Sequence, residues 1–359
     1  MQMSRPDKWD RYVSVTNSHS MMVYIGLGTT CNLDCLYCPK FVHDGKMPWH
    51  DVDKLMAVLE QVRHHYQWKR TRVYTMLGGE PTLMAALPDL CQRIKAMDDG
   101  ARIQLATNGT RTPRYWERIS PYLDQVIVSL HVSQIDIAQL NQGFKVLVEN
   151  GVHVTTNVLM DQAHFAKAVH TAQWLTQQGW TYYITMKPVE TMLGSNQLQD
   201  YTAEQREIIQ SWGEDQQYSR MEACKEIAVG RKILDEDLYR FCSAEGEISD
   251  LNNFQGVSRD WDRLKDWHCF LNADKITIRN EGIVGTGDTC DQGAVLGNFY
   301  ESDPATWAWT MAPVQCKRDR CVCGGDLDSH KFKHRSDADA YAKVIADRLS
   351  QPETVLSRS

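Results

Sequence analysis

The sequence lacks any apolar run of the ~18 residues that a membrane-spanning helix needs. Its opening, MQMSRPDKWDRY, lacks the apolar stretch of a secretory signal. A cytoplasmic chain with no membrane partner is therefore expected. Basic excess is also missing. The 39 Lys and Arg face 46 Asp and Glu, a net charge of −7, which opposes binding along a phosphate backbone, so nucleic acid is not an expected partner. Lys69-Arg70-Thr71-Arg72 reads as solvated charge ahead of a strand, and Lys317-Arg318-Asp319-Arg320 would reach one phosphate at most. No internal repeat and no low-complexity tract occurs. With 42% hydrophobic and 24% charged residues, the chain has material for a packed core and is not disordered. Its 359 residues predict about two domains, or one large α/β domain with an appendage.

Cysteine is plentiful, with eleven residues. A disulfide framework suits short secreted chains, and this chain is neither short nor signalled for secretion. Eight of the cysteines fall into two groups, which points to metal ligation. Cys91, Cys224 and Cys242 stand alone in helical-looking segments and read as small buried hydrophobes.

Strand-like and helix-like segments alternate through the first half. Strands are expected at 21–28, 72–77, 102–107, 125–132, 152–160 and 181–189. Helices are expected at 51–66, 83–97, near 112–120, at 134–150 before Gly151, and at 162–178 before Gly179. Six β/α units in strict order predict a parallel sheet with helices outside, an open partial (β/α)6 barrel whose active-site loops lie at the carboxyl ends of its strands. The strands read as continuously apolar, as if covered on both faces. Residues 190–265 read as polar and strand-free, with helical patterns at 203–213 and 218–240. From 266 onward come the strand-like KITIRN (275–280), glycines at 282, 285 and 287, and five cysteines, as in a small metal-stapled module. The expected division is 1–195 barrel, 196–265 helical linker or lid, 266–335 cysteine-rich module, and 336–359 helix and tail.

The first group, Cys31-Asn-Leu-Asp-Cys35-Leu-Tyr-Cys38, directly follows the first strand. Three thiolates in eight residues can hold three irons of a [4Fe–4S] cluster and leave the fourth open for a substrate or cofactor. Zinc is the competing reading. It wants a fourth protein ligand, for which His43 and His50 are candidates. Leu77-Gly78-Gly79-Glu80-Pro81-Thr82 follows the second strand. Taken alone, it is a strand-to-helix turn or a segment able to hold an ammonium group.

C-x3-C-x2-C after the first strand of a six-unit barrel, with a Gly-Gly-Glu segment after the second, resembles the radical S-adenosylmethionine (radical SAM) superfamily over residues 20–190. The resemblance implies an oxidoreductase. In it, a cluster on Cys31, Cys35 and Cys38 reduces SAM, yielding a 5′-deoxyadenosyl radical that removes a substrate hydrogen atom. It implies cofactor contacts at Gly78, Gly79, Glu80 and Pro81, with Glu80 on the ammonium of the methionine moiety. Thr107 and Asn108 of a Thr-Asn-Gly, and Ser129 and His131 after the fourth strand, fall at the same rim. Asn157, Met186 and Lys187 fall there on the fifth and sixth strands.

The spacing Cys269-x15-Gly285-x4-Cys290, followed by Cys316, Cys321 and Cys323, resembles the start of the SPASM/twitch extension, which carries an auxiliary [4Fe–4S] cluster. Five cysteines are too few for the two clusters of a full SPASM extension, so one auxiliary cluster is implied, with four of the five as ligands. A structural zinc site is the alternative for this group.

The implied reaction is a two-electron oxidation of a peptide or peptide-like natural-product precursor. Its electrons would enter from an external one-electron donor such as flavodoxin or ferredoxin. The alternatives are a dehydrogenase or rearrangement enzyme acting on a sugar or nucleotide, and a non-catalytic electron-transfer or redox-sensing protein. With the first motif at residue 31, no N-terminal peptide-recognition domain is expected. A peptide substrate would then bind directly or arrive on a carrier protein.

Overall fold

The computed structural model describes residues 11–15, 20–191, 197–212, 239–251, 261–287, 290, 292–309, 311–319, 321 and 329–349. The expected helical stretch 218–238, Cys224, Cys323 and the boundary at 194–196 lie outside the described residues.

A short strand β1 (Tyr12–Val15) comes first. The six predicted β/α units follow as β2 (Ser20–Gly26), α1 (Val52–His65), β3 (Thr71–Leu77), α2 (Leu87–Met97), β4 (Ala101–Thr107), α3 (Pro113–Ile119), β5 (Gln125–Leu130), α4 (Ile137–Glu149), β6 (His153–Leu159), α5 (Phe165–Gln178) and β7 (Tyr183–Lys187). Strands β2 to β7 pair in sequence order and all in parallel. The helices begin and end on local chemistry. The Asp51 carboxylate accepts from the Lys54 amide at 3.0 Å, and Asp136 caps the Ala138 and Gln139 amides of α4. Gly179 closes α5 in the left-handed region at φ 75°. The helix expected from residue 83 starts later. Pro81–Leu83 forms one 3-10 turn, and α2 begins at Leu87.

Contrary to the expectation of continuously apolar strands, β2, β4 and β6 alternate in burial along their length, while β3 is buried through its five central residues. The outward rows, including Val23, Ile25, Met76, Ile103, Leu105, Val126, Val128, Val154, Val158 and Ile184, pack under the helices in one core with Leu55, Leu59, Leu90, Leu140 and Leu175. The inward rows are polar. Register places Tyr24, Thr75, Gln104, Gln125 and His153 in one layer, and Ser129, Asn157 and Thr185 in a higher one. Thr75 donates to Gln104 at 2.9 Å, and Gln104 donates to Gln125 at 2.8 Å. The reason is the open barrel: only one face is covered by helices, and the other lines a lumen. Met186 sits in the helix-packed row, buried in the core, so it does not face the lumen.

Residues 190–265 hold the expected helix at 203–212 but also two strands, β8 (Tyr239–Cys242) and β9 (Ile248–Leu251). Cys242 is therefore on a strand. These strands join β1, β10 (His268–Cys269), β14 (Val314–Gln315) and β15 (Lys331–Phe332) in a second sheet of order β14-β10-β15-β1-β8-β9. The KITIRN segment, expected within a small module of its own, instead extends the barrel. Strand β11 (Lys275–Ile278) runs parallel to β2, and β12 (Ile283–Thr286) and β13 (Val295–Asn298) follow antiparallel at that edge. Ile276 and Ile278 thereby enter the main core. Gly282 and Gly287 take the left-handed turns at φ 82° and 79°, whereas Gly285 lies inside β12. The helix Arg335–Leu349 closes the described chain.

Of the basic cluster at 69–72, Arg70 is exposed as expected, but Lys69 and Arg72 are buried. Lys69 Nζ meets Asp274 Oδ1 at 2.7 Å, and Asp274 also accepts from the His330 amide at 2.9 Å, which ties the barrel to the C-terminal segment. Arg72 holds Asp98 through both carboxylate oxygens. Paired carboxylates let these cations be buried.

Candidate functional site

The loop after β2 carries Cys31, Cys35 and Cys38, and the loop after β3 carries Gly78–Thr82. The two loops lie backbone against backbone. The Gly79 amide donates to the Gly28 carbonyl at 2.9 Å, and the Glu80 amide donates to Thr30 at 2.8 Å. A Cβ at Gly79 would collide with the Thr30 carbonyl, and one at Gly78, whose φ is 145°, would stand 2.7 Å from the Gly28 carbonyl. Glycine is required at both by close approach.

Other strand ends clasp the cysteine loop. From β4, Asn108 Nδ2 donates to Asn32 Oδ1 at 2.8 Å, and Asn32 Nδ2 donates to Thr110 Oγ1 at 2.8 Å. From β5, Gln134 accepts the Asp34 amide at 3.3 Å and donates to Cys35 Sγ at 3.3 Å. His131 Nδ1 lies 3.2 Å from Cys35 Sγ and 2.5 Å from the Tyr37 hydroxyl. Asn32, Tyr37, Thr110 and Gln134 were not anticipated from sequence. Their signal was only adjacency to motif residues on loops that the topology brings together.

The three thiols are carried on one loop, half-buried or buried. Burial raises the pKa of Cys31 and Cys35 and pushes Cys38 up to about 11, where the charges of Cys35 and Cys31 add to the effect. The Leu33 amide points at Cys31 Sγ from 3.4 Å. Metal ligation would offset the cost of the thiolates, since a bound cation favours the deprotonated form. Among the described residues no three Cys, His, Asp or Glu side chains are drawn together tightly enough to share one ion. The proposed fourth zinc ligands are otherwise engaged. His50 spans the Tyr300 hydroxyl at 3.0 Å and the Arg279 carbonyl at 3.1 Å, and His43 lies 3.3 Å from Asp34. The donor set thus fits a cluster with an open iron better than a four-ligand zinc ion. Burial lowers His131 to about 4, so its ring is neutral at pH 7.

Glu80 is engaged by the protein on both carboxylate oxygens. It is wholly buried. Its Oε1 accepts from the Thr82 amide at 3.1 Å, the Thr82 hydroxyl at 2.5 Å and the Thr107 hydroxyl at 2.7 Å, while Oε2 accepts from the Asn108 amide at 2.6 Å. The carboxylate braces the end of β3 against the end of β4. Pro81 and Thr82 are buried in the turn below it. The peptide carbonyls of Gly78 and Gly79 carry no hydrogen bond among the described residues, and Gly78 is exposed at the rim. They are acceptors open to an ammonium group. Ser129 and Asn157 share an inward layer, and Lys187 stands at the mouth of the same face.

The second group also converges. Cys269 is on β10, and Cys290 lies between β12 and β13. Cys316 follows β14, exchanging backbone hydrogen bonds with Asp266 and Trp267 at 2.8 Å each, and the Cys321 amide donates to Asp262 at 2.8 Å. Burial pushes the Cys269 thiol up to about 12. Lys331 opposes this, and the charges of Cys321, Cys290 and Cys316 reinforce it. Cys91 is buried in the core 4.0 Å from the Met76 sulfur, as a small hydrophobe would be.

Residues 25–186 match the family model described as Radical SAM superfamily. The chain is 30% identical over 135 residues to a probable GTP 3′,8-cyclase of Methanococcus aeolicus, covering 36% of this chain and 43% of that protein. It is 29% identical over 105 residues to the GTP 3′,8-cyclase of Actinobacillus succinogenes, covering 28% and 30%. The chain thus spans less than half the length of these curated relatives. Among solved structures, anSMEcpe with bound AdoMet aligns over 79% of this chain and 78% of its own at 15% identity and a TM-score of 0.47. Streptococcus suis SuiB bound to its precursor peptide SuiA aligns over 80% and 64% at 12% identity and a TM-score of 0.49.

Proposed function

We propose that this chain, whose residues 25–186 match the Radical SAM superfamily model, is a radical SAM enzyme whose Cys31, Cys35 and Cys38 hold a [4Fe–4S] cluster beside a SAM site, and that four of Cys269, Cys290, Cys316, Cys321 and Cys323 hold an auxiliary cluster. The observation that carries the reading is the loop after β2 that bears Cys31, Cys35 and Cys38, clasped at the carboxyl ends of the strands by Asn108 after β4 and by His131 and Gln134 after β5. When bound, the cluster and SAM supply a 5′-deoxyadenosyl radical that takes a hydrogen atom from substrate, and the auxiliary cluster supplies an acceptor for the electron that then leaves.

The chain's own residues do the rest. The carbonyls of Gly78 and Gly79 accept the SAM ammonium, while Glu80 holds those glycines and Asn108 in register from behind. Ser129 and Asn157 offer hydroxyl and amide contacts on the inward face. Neutral His131 and Gln134 steady the Cys35 sulfur. The apolar outward rows and helices keep water from the rear of the sheet. An external one-electron donor such as flavodoxin or ferredoxin completes the balance.

The favoured substrate is a peptide or peptide-like precursor undergoing a two-electron oxidation, as the second cysteine group supports. A nucleotide or sugar is the second reading. It is favoured by the curated relatives named as GTP 3′,8-cyclases and by the polar lumen. The test is anaerobic reconstitution with SAM and dithionite, with GTP added in one arm and a library of short peptides in the other. Stimulation of 5′-deoxyadenosine formation in one arm assigns the substrate class. Full clusters with no SAM cleavage in any arm would favour a non-catalytic electron carrier.

A further inference from the structure

We propose that Lys331 sets the reduction potential of the auxiliary cluster, as a buried ammonium placed across the strand ladder from Cys269. The proposal rests on the auxiliary-cluster reading above. Strands β10 and β15 run antiparallel with Cys269 directly opposite Lys331. Residues so paired send their side chains to the same face, with Cβ atoms about 4.5–5.5 Å apart. Lys331 is 1% exposed and Cys269 is 5% exposed. The Lys331 ammonium donates to the Ser329 carbonyl at 2.9 Å, so its head stays inside the protein.

Four thiolates give a cluster net negative charge, and reduction adds one more electron. A buried cation whose side chain starts one strand spacing from Cys269 favours the reduced form, and burial shields that attraction from salt. Lys331 therefore raises the potential and makes the cluster a readier acceptor for an electron leaving substrate. It touches no reacting atom in this account. It acts through Cys269 and is a positioning residue of charge.

The test compares wild type, Lys331→Met and Lys331→Arg in the full chain, each reconstituted anaerobically. Iron is counted, and the clusters are titrated with dithionite while followed by electron paramagnetic resonance. The titration is repeated in a Cys31→Ala, Cys35→Ala, Cys38→Ala background to isolate the second signal. Lys331→Met is expected to lower the reduction equilibrium constant of the auxiliary cluster at least tenfold, about 59 mV for a one-electron couple. Lys331→Arg is expected to restore it. Loss of the auxiliary irons in Lys331→Met but not in Lys331→Arg supports the same role for the charge. A full iron count with an unmoved potential in Lys331→Met overturns the proposal and leaves the cluster reading standing, as does loss of the irons in both variants. No iron in the C-terminal group of the wild type would overturn the cluster reading itself.

Discussion

Replacing Glu80 with Ala separates two roles for a residue that the sequence places at the cofactor. The structure gives its carboxylate four donors: the Thr82 amide and hydroxyl, the Thr107 hydroxyl and the Asn108 amide. The two hydroxyls can rotate toward other acceptors, but the two amides cannot. A buried amide left unpaired costs about 1–3 kcal/mol, so Glu80→Ala should destabilise the protein by about 2–5 kcal/mol before any ligand is considered. For a chain of this size that is a fall in Tm of roughly 3–7 °C. Glu80→Gln keeps one carbonyl oxygen for the Thr82 and Thr107 donors but turns an amino group toward the Asn108 amide, so about half that loss is expected. The assay is a thermal melt of the SAM-free protein, run beside a SAM-binding titration. An unchanged Tm in Glu80→Ala with SAM binding lost would refute the bracing role and restore the direct ammonium contact.

The remaining predictions follow from other parts of the fold. Gly79→Ala drives a methyl into the Thr30 carbonyl and is expected to displace the cysteine loop, so iron analysis should show loss of the first cluster while the C-terminal cluster persists. Cys269→Ala and Cys290→Ala should each lower iron from about eight per chain to about four; an unchanged iron count in both variants would contradict the auxiliary cluster. Asp274→Ala strands Lys69 in the core and should cost about 3–5 kcal/mol in denaturant unfolding. Burial alone would raise the Asp274 pKa, but His330 and Lys69 outweigh it and hold the group well below the usual carboxylate range. Its stabilising contribution is therefore full above the unfolded value near 4 and is lost only as pH falls below that. Stability measured from pH 6 down to pH 2 should fall more steeply in wild type than in Asp274→Asn.

The barrel was legible because parallel strands and amphipathic helices impose separate periods on the chain. All six β/α units, and helix stops such as Gly179, were placed from that pattern. The alternation inside RIQLAT and VHVTTNVLM was equally present, yet it reads as a lumen only when the uncovered face is known. The motif cysteines were legible from spacing, since three thiolates in eight residues have few other uses. The neighbours of Cys269 were not, because β10, β14 and β15 meet through pairings between distant segments. Lys69 looked like surface charge because its partner Asp274 lies 205 residues away in sequence. The role of Glu80 was hidden for a related reason: its donors Thr107 and Asn108 arrive from the next strand of the sheet.

The central claim is that Cys31, Cys35 and Cys38 carry a cluster that cleaves SAM. The most direct measurement is 5′-deoxyadenosine produced per chain by the anaerobically reconstituted protein with SAM and dithionite, in wild type and in the Cys31→Ala, Cys35→Ala, Cys38→Ala variant. The account predicts slow but measurable product in wild type and none in the variant, which keeps about four irons on its C-terminal cysteines. Product formation that survives loss of all three cysteines, or its absence from a wild type carrying about eight irons, would contradict it.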